Sequence, residues 1–308
     1  MRTTVTVGTR RSKLAMTQTN HVIGALQASY PTVTFEVKVI VTKGDVRLDQ
    51  ALAKIGGKGL FIKEIESALI NGEIDIAVHS MKDMPAELPT GLMIGAIPKR
   101  EDARDVLISS TGASLEQLPS KAVIGTSSLR RQAQLLAVRP DLQIKLLRGN
   151  VDTRLQKCRD GEYDAIILAA AGLKRLGLYN ETEMWPLPTN LCLPAVGQGA
   201  LAIECRREDD FVREMLASVH EVDTAKTVLA ERAFLNEMDG SCHMPIGGYA
   251  TLVHDTIKLE TLLAATDGQT VIRGKSSGSD SQVVGQQAKK QLFEQGAAAM
   301  IAALNITD

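Results

Sequence analysis

The chain has 308 residues, 44% of them hydrophobic, enough for two or three domains with their own cores. It carries 35 basic and 36 acidic residues and only 3% aromatics. Balanced charge and few stacking rings argue against a nucleic-acid or membrane-surface binder. No apolar run reaches the roughly 20 residues that span a bilayer, and the N-terminus reads as a strand rather than a signal peptide, so a cytoplasmic protein is expected.

Strand and helix signals alternate over about the first 210 residues. Residues 4–8 alternate as a strand, and Ser12 is placed to cap a helix carrying Leu14, Val22 and Leu26. TFEVKVIVT (34–42) reads as a strand, 60–70 as a helix with Ile62, Ile65 and Leu69 on one face, and 74–78 as a strand running into His79-Ser80-Met81-Lys82-Asp83. Residues 92–97 form another strand. The charge-dense 98–105 that follows suits a crossover between domains. A second series begins near Val106: strand 122–125, helix 129–138, strand 143–147, a helix from Val151 that Gly161 stops, and strand 165–171. Pro186, Pro188 and Pro194 mark a linker, and 199–204 reads as a strand returning to the first sheet. Alternation of this kind predicts two βα lobes around a cleft. The last 90 residues differ: a helix over 225–238, a hairpin of 256–264 and 269–275 around Asp267-Gly268, and a final helix capped by Ser279 or Ser281 that runs to about Leu304.

Arginines recur where strands hand over to helices: Thr9-Arg10-Arg11-Ser12, Ser127-Ser128-Leu129-Arg130-Arg131, and Leu147-Arg148-Gly149 with Arg154. Helix N-termini favour anions, and the guanidinium fork fits carboxylate or phosphate. The alternative is a set of surface ion pairs. The repetition points instead to a ligand with several anionic groups. Asp83, followed by Met84-Pro85, is either a turn residue or a carboxylate presented to a cationic ligand at a strand end. The stretch 43–59 holds four glycines and is too long for an ordinary connection, which suits a lid. Its GGKG lacks the spacing and Ser/Thr of a P-loop, and no dinucleotide fingerprint exists elsewhere, which counts against a nucleotide-binding enzyme. The four cysteines, at 158, 192, 205 and 242, have no metal or redox spacing. The first three lie in apolar or helical contexts suited to a core. Cys242 sits in a glycine- and proline-rich loop, where it reads as a nucleophile, an attachment point or an incidental thiol.

Nine segments in register, among them GTRRSKLA (8–15), GGKGLFIKEIE (56–66), AVHSMKDMP (77–85), GTSSLRRQAQL (125–135), RGNVDTRLQK (148–157), VGQGALAIE (196–204) and GSCHMPIGGYA (240–250), resemble the porphobilinogen deaminase (hydroxymethylbilane synthase) family over nearly the whole chain. The resemblance implies an α/β fold: two type II periplasmic-binding-protein-like βα domains around a cleft, plus a small C-terminal α+β domain. It implies boundaries of 1–98 with 198–217, 103–192, and 219–308. It implies a monomeric transferase of tetrapyrrole biosynthesis that condenses four porphobilinogens with loss of ammonia. It also implies a dipyrromethane cofactor bound through a thioether to Cys242, although the family's usual glycine before this cysteine is Ser241 here. By resemblance Asp83 is the catalytic carboxylate. Ser80, Lys82, Asp83, Thr126, Ser128, Arg130, Arg131, Arg154 and Gly172 would hold the cofactor. Arg10, Ser12, Arg148, Arg154, Arg175 and Gln198 would hold substrate, and Lys54, Lys58 and Phe61 would belong to the lid. A cytosolic dicarboxylate-binding module without turnover is the competing reading; it leaves Cys242 and the third domain without a role.

Overall fold

The computed structural model describes residues 2–42, 62–238 and 244–306. The chain divides into two compact units, residues 1–101 with 199–225, and 102–198 with 226–308. In chain order the first run holds β1 (Thr4–Thr9), α1 (Lys13–Ser29), β2 (Thr34–Val39), α2 (Lys63–Ile70), β3 (Ile76–Ser80), a single 3-10 turn (Met81–Asp83) and β4 (Leu92–Ala96). The second holds β5 (Asp105–Ser109), β6 (Val123–Gly125), α3 (Leu129–Val138), β7 (Gln143–Lys145), α4 (Val151–Arg159), β8 (Ala165–Ala169), α5 (Ala170–Arg175) and β9 (Met184–Pro186). The chain then returns through β10 (Leu201–Arg206), α6 (Asp210–Ala217) and α7 (Val222–Glu237). It ends with β11 (Ile246–Val253), β12 (Thr256–Ala264), β13 (Val271–Gly278), α8 (Ser281–Glu294) and α9 (Ala297–Ile306).

Two five-stranded sheets have the orders β2-β1-β3-β10-β4 and β7-β6-β8-β5-β9. They share one plan. Three parallel strands are followed by one that runs antiparallel to both its neighbours, and that strand comes from the stretch where the chain changes lobe. This is the two-lobed α/β architecture that the alternation predicted. Period-2 patterning explains how each sheet is covered on both faces. Val106, Ile108, Ile166 and Leu168 face one core of the second lobe, while Leu107, Ala165 and Ile167 face another. In the first lobe Val5, Val7, Ile76, Val78 and Ile203 pack with Val22 and Leu26 of α1. Those two side chains are four residues apart and so share one helix face.

In the three-stranded sheet β12 lies between β11 and β13. It packs on α7 and α8 through Phe234, Leu259, Leu263, Val284 and Leu292. Within the second unit this domain is seated on α3. Gln132 donates to the Thr266 carbonyl at 3.1 Å. A β-carbon on Gly268, whose φ is +73°, would lie 2.5 Å from the Ala133 carbonyl. Buried Glu231 accepts from the amides of Gly197 and Ala250, at 2.7 and 2.8 Å, and so joins the linker to β11.

Several elements depart from the sequence expectation. β2 stops at Val39 rather than 42. β8 stops at Ala169, because Ala170 and Ala171 open α5. Pro186 lies in an edge strand, where its missing N–H costs no ladder bond. The expected single last helix is two, broken at Gly296 with φ +97°, and its cap is Asp280, whose carboxylate accepts from the Val283 amide at 2.9 Å. Ser281 instead donates to the Lys226 carbonyl. β11 was not foreseen, because its glycines read as loop.

Candidate active site

In the first unit, β3 delivers Ser80 to the end of the sheet opposite Leu201, and the Met81 amide donates to the Ala200 carbonyl at 3.0 Å. The chain then tightens into the 3-10 turn, anchored by the buried Met81 side chain, and Asp83 emerges exposed. The Met84-Pro85 step ends the turn in extended backbone. An open pocket sits here, lined in part by Arg10, Ser12, Gln18, Ile62, His79, Ser80 and Asp83. The expectation for Ser12 as a helix cap holds: its hydroxyl accepts from the Ala15 amide at 3.2 Å, while the residue also lines the pocket. Gln18 donates to Ser80 Oγ at 3.1 Å and fixes the rim. Lys82 is half-buried in the same turn.

In the second unit, Ser128 caps α3 by accepting from the Arg131 amide, and Thr126 Oγ1 accepts from the Ser128 amide at 3.1 Å. The heads of Arg130 and Arg131 are buried and meet at Asp105. Arg130 bonds Oδ2 at 2.8 Å and the Leu193 carbonyl at 2.6 Å. Arg131 bonds Oδ1 at 2.7 Å and the Ile167 carbonyl at 2.8 Å. Gln198 adds a bond to Asp105 Oδ1 at 2.9 Å and another to the Ala103 carbonyl. Burial acts to raise the Asp105 pKa, but Arg130 and Arg131 outweigh it and hold the carboxyl well below its usual range.

Arg148 and Arg154 differ from this pair. Gly149, at φ +115°, turns the chain after Arg148, and Arg154 donates Nε to the Gly149 carbonyl at 2.7 Å. Burial pulls the Arg148 pKa down, and its Nε is buried with no hydrogen-bond partner among the described residues. Arg154 is pushed down to about 10, first by burial and then by the charges of Arg131 and Arg148. Three guanidinium groups are thus gathered with more positive charge than Asp105 offsets, an arrangement made for anions. Gly172 lies within α5 and half-buried Arg175 ends it. Cys242, Lys54, Lys58 and Phe61, and with them the expected lid, lie outside the described residues.

Gln18, His79 and Asp105 are site residues that the sequence does not single out. Gln18 is a polar side chain four residues from Leu14 and Val22 on the buried face of α1, a spacing that marks it. Asp105 gave no such signal within the run Glu101-Asp102-Ala103-Arg104-Asp105. Among the described residues, Cys158, Cys192 and Cys205 are the free cysteines and all are buried. Burial pushes their thiols to about 11, 12 and 11, so they stay protonated and unreactive.

The family model described as porphobilinogen deaminase, dipyromethane cofactor binding domain, matches residues 5–214, and that of the porphobilinogen deaminase C-terminal domain matches residues 225–294. The chain belongs to the porphobilinogen deaminase family. Relatives named porphobilinogen deaminase are 58% identical over 97% of the chain and 96% of the relative in Bacillus pumilus (strain SAFR-032), and 56% identical over 98% of both in Bacillus thuringiensis (strain Al Hakam). Solved structures that resemble the chain include the periplasmic VFT2 domain of Bordetella pertussis BvgS (12% identity, 71% of this chain and 87% of that one, TM-score 0.41). Another is the probable amino-acid transporter binding protein YtmK of Bacillus subtilis (11%, 71% and 90%, TM-score 0.41). The pocket at Asp83 and the Arg131, Arg148 and Arg154 group fall within the cofactor-domain match, and Cys242 falls within the C-terminal one.

Proposed function

We propose that this chain is a hydroxymethylbilane synthase: a transferase that condenses four porphobilinogen molecules head to tail, releases ammonia at each step, and frees the linear tetrapyrrole. The observation that carries this reading is the cationic group of Arg131, Arg148 and Arg154, with a buried guanidinium Nε that lacks a partner. Each porphobilinogen carries an acetate and a propionate, so a growing chain accumulates the carboxylates that such a group binds.

The residues present fit a dipyrromethane cofactor. Arg131 and Arg154 would take its carboxylates, with Thr126, Ser128, Arg130 and Gly172 shaping the site, and Cys242 would carry it as a thioether. When bound, the cofactor supplies the free pyrrole carbon to which the first substrate is joined. Arg10, Ser12, Arg148, Arg154 and Arg175 hold the substrate carboxylates, while buried Gln198, expected among them, instead spends its amide on Asp105 and the Ala103 carbonyl and so steadies the arginine pair; Lys54, Lys58 and Phe61 belong to a segment that excludes water. Ser80 and Lys82 flank Asp83. Asp83 accepts pyrrole N–H groups and stabilises the positive charge that develops on the substrate as its C–N bond breaks. Each new carbon–carbon bond releases one proton; Asp83 is the group placed to hold it and pass it to the departing ammonia, so each cycle closes with ammonium.

We further assign the chain to the cytoplasm as a monomer of three domains whose partner is porphobilinogen rather than nucleic acid or a membrane. No helix among the described residues is long and apolar enough to cross a membrane. The test is turnover of porphobilinogen by the purified protein. Four ammonia molecules per tetrapyrrole are expected. Stoichiometric binding without ammonia release would contradict the reading and favour a dicarboxylate-binding module.

A further inference from the structure

Behind the Asp83 pocket, the first sheet encloses a cluster that the deaminase reading leaves without a task. His79, 5% exposed, lines the pocket and its Nε2 lies 3.1 Å from Oε2 of Glu204, which is fully buried. The pair is built by register. Ala202 lies opposite His79 and Glu204 opposite Ala77, so His79 and Glu204 are diagonal neighbours on one face of the sheet. The ladder from β10 to β4 shifts register between Ile203 and Glu204, a local irregularity of the kind that re-aims a side chain. Glu66, 7% exposed, comes from α2, which packs on this sheet. Oε1 of Glu66 and Oε1 of Glu204 are both buried and neither has a hydrogen-bond partner among the described residues. Two buried carboxylate oxygens left unpaired are costly, and two like charges kept together in a core are costlier.

We propose that Glu66 and Glu204 share one proton, and that this proton fixes His79 and, through it, the strand end that presents Ser80, Lys82 and Asp83. One proton answers both defects. On Glu66 it makes a donor for the unpaired oxygen of Glu204, and it removes the repulsion between the two acids. Oε2 of Glu204 is then kept for the imidazole. The charged groups acting on Glu66 are Glu204, His79 and, from its own helix, Lys63; Arg206 of β10 also reaches α2, at the Leu69 carbonyl, but is paired with Asp75 and Asp209, and β1 and β4 bring no charged side chain. Burial first, and then Glu204, raises the Glu66 pKa above its ordinary 4.5, against the opposing effects of His79 and Lys63. Glu66, His79 and Glu204 are positioning residues. Their link to Asp83 rests on the deaminase reading, but the shared proton does not.

The test uses the holoenzyme with its glutamate carboxyl carbons labelled, titrated by NMR from pH 4 to 9. One carboxyl resonance should titrate clearly above the usual glutamate range and disappear from that position in Glu66→Gln. If all carboxyls titrate near 4.5, the proposal falls, whether or not the variant folds. A raised pKa in the folded state means that stability present at low pH is lost as pH rises through it. The Tm of Glu66→Gln minus that of wild type should therefore grow between pH 5 and 8. A constant difference would overturn the proposal. In wild type, kcat should follow the same titration and in Glu66→Gln it should not; a kcat profile identical in the two would remove the positioning role. A high carboxyl titration without turnover of porphobilinogen would leave the shared proton standing and sink the deaminase reading instead.

Discussion

Arg154 keeps its charge where its strongest charged neighbours, Arg131 and Arg148, are also cations. Burial and the two neighbouring cations weigh against that charge, and a bound carboxylate relieves both. Arg154→Gln should raise KM for porphobilinogen, measured by initial rates, with a loss of about 1.5–3 kcal/mol of binding expected for one charge-assisted hydrogen bond. Asp83 is exposed at the pocket and holds no structural bond to the other described residues. Asp83→Asn should reduce kcat by about 10²–10³-fold, as for other single preorganised groups, with an unchanged circular dichroism spectrum. Arg154 and Asp83 were legible in the sequence because each sits at a strand-to-helix handover. The difference between Arg131 and Arg148 was not. Both read as anion-binding arginines, and only the fold shows that Asp105 engages one of them while the Nε of the other is left unpaired.

Among the elements, β5 and α3 depend on each other through Asp105. Removing this carboxylate leaves Arg130 and Arg131 buried and uncompensated, so Asp105→Asn should cost about 3–5 kcal/mol in denaturant unfolding. Its pKa is depressed, so its contribution is present above about pH 4, the unfolded carboxyl value, and is lost as pH falls further. The stability gap between wild type and Asp105→Asn should narrow in that acid window. The hairpin between β12 and β13 depends on Gly268 in a similar way. Its positive φ and its close approach to Ala133 leave no room for a side chain. Gly268→Ala should destabilise the second unit by about 1–3 kcal/mol, the usual cost of an overpacked contact, read by thermal unfolding. Helix α3 was legible residue for residue, because Ser128 caps it and its buried positions repeat. β11 was not, because Gly247 and Gly248 signal turns locally. In the fold they lie where β-carbons would crowd Leu193 and Val196. The break between α8 and α9 also escaped, since alanines run straight on from Gly296 and only its backbone dihedral marks the end.

For the molecule as a whole, composition and alternation suffice to read two α/β lobes and a different C-terminal region. The shared strand plan is a tertiary fact, because pairing β10 with β3 and β5 with β8 joins residues about 60 to 130 apart in sequence. Chemistry at Cys242 was legible only through the family resemblance, since a cysteine among glycines and a proline states no role. The three other thiols are buried and protonated, so an alkylating reagent added to the cofactor-free protein should modify Cys242 alone, which peptide mapping would show. The most direct test of covalent cofactor attachment is the intact mass of the purified protein beside that of Cys242→Ser. An excess equal to two porphobilinogens less two ammonias is expected, either at once or after adding porphobilinogen, with no excess in the variant. An unmodified mass that substrate does not change, or the same excess in Cys242→Ser, would contradict it.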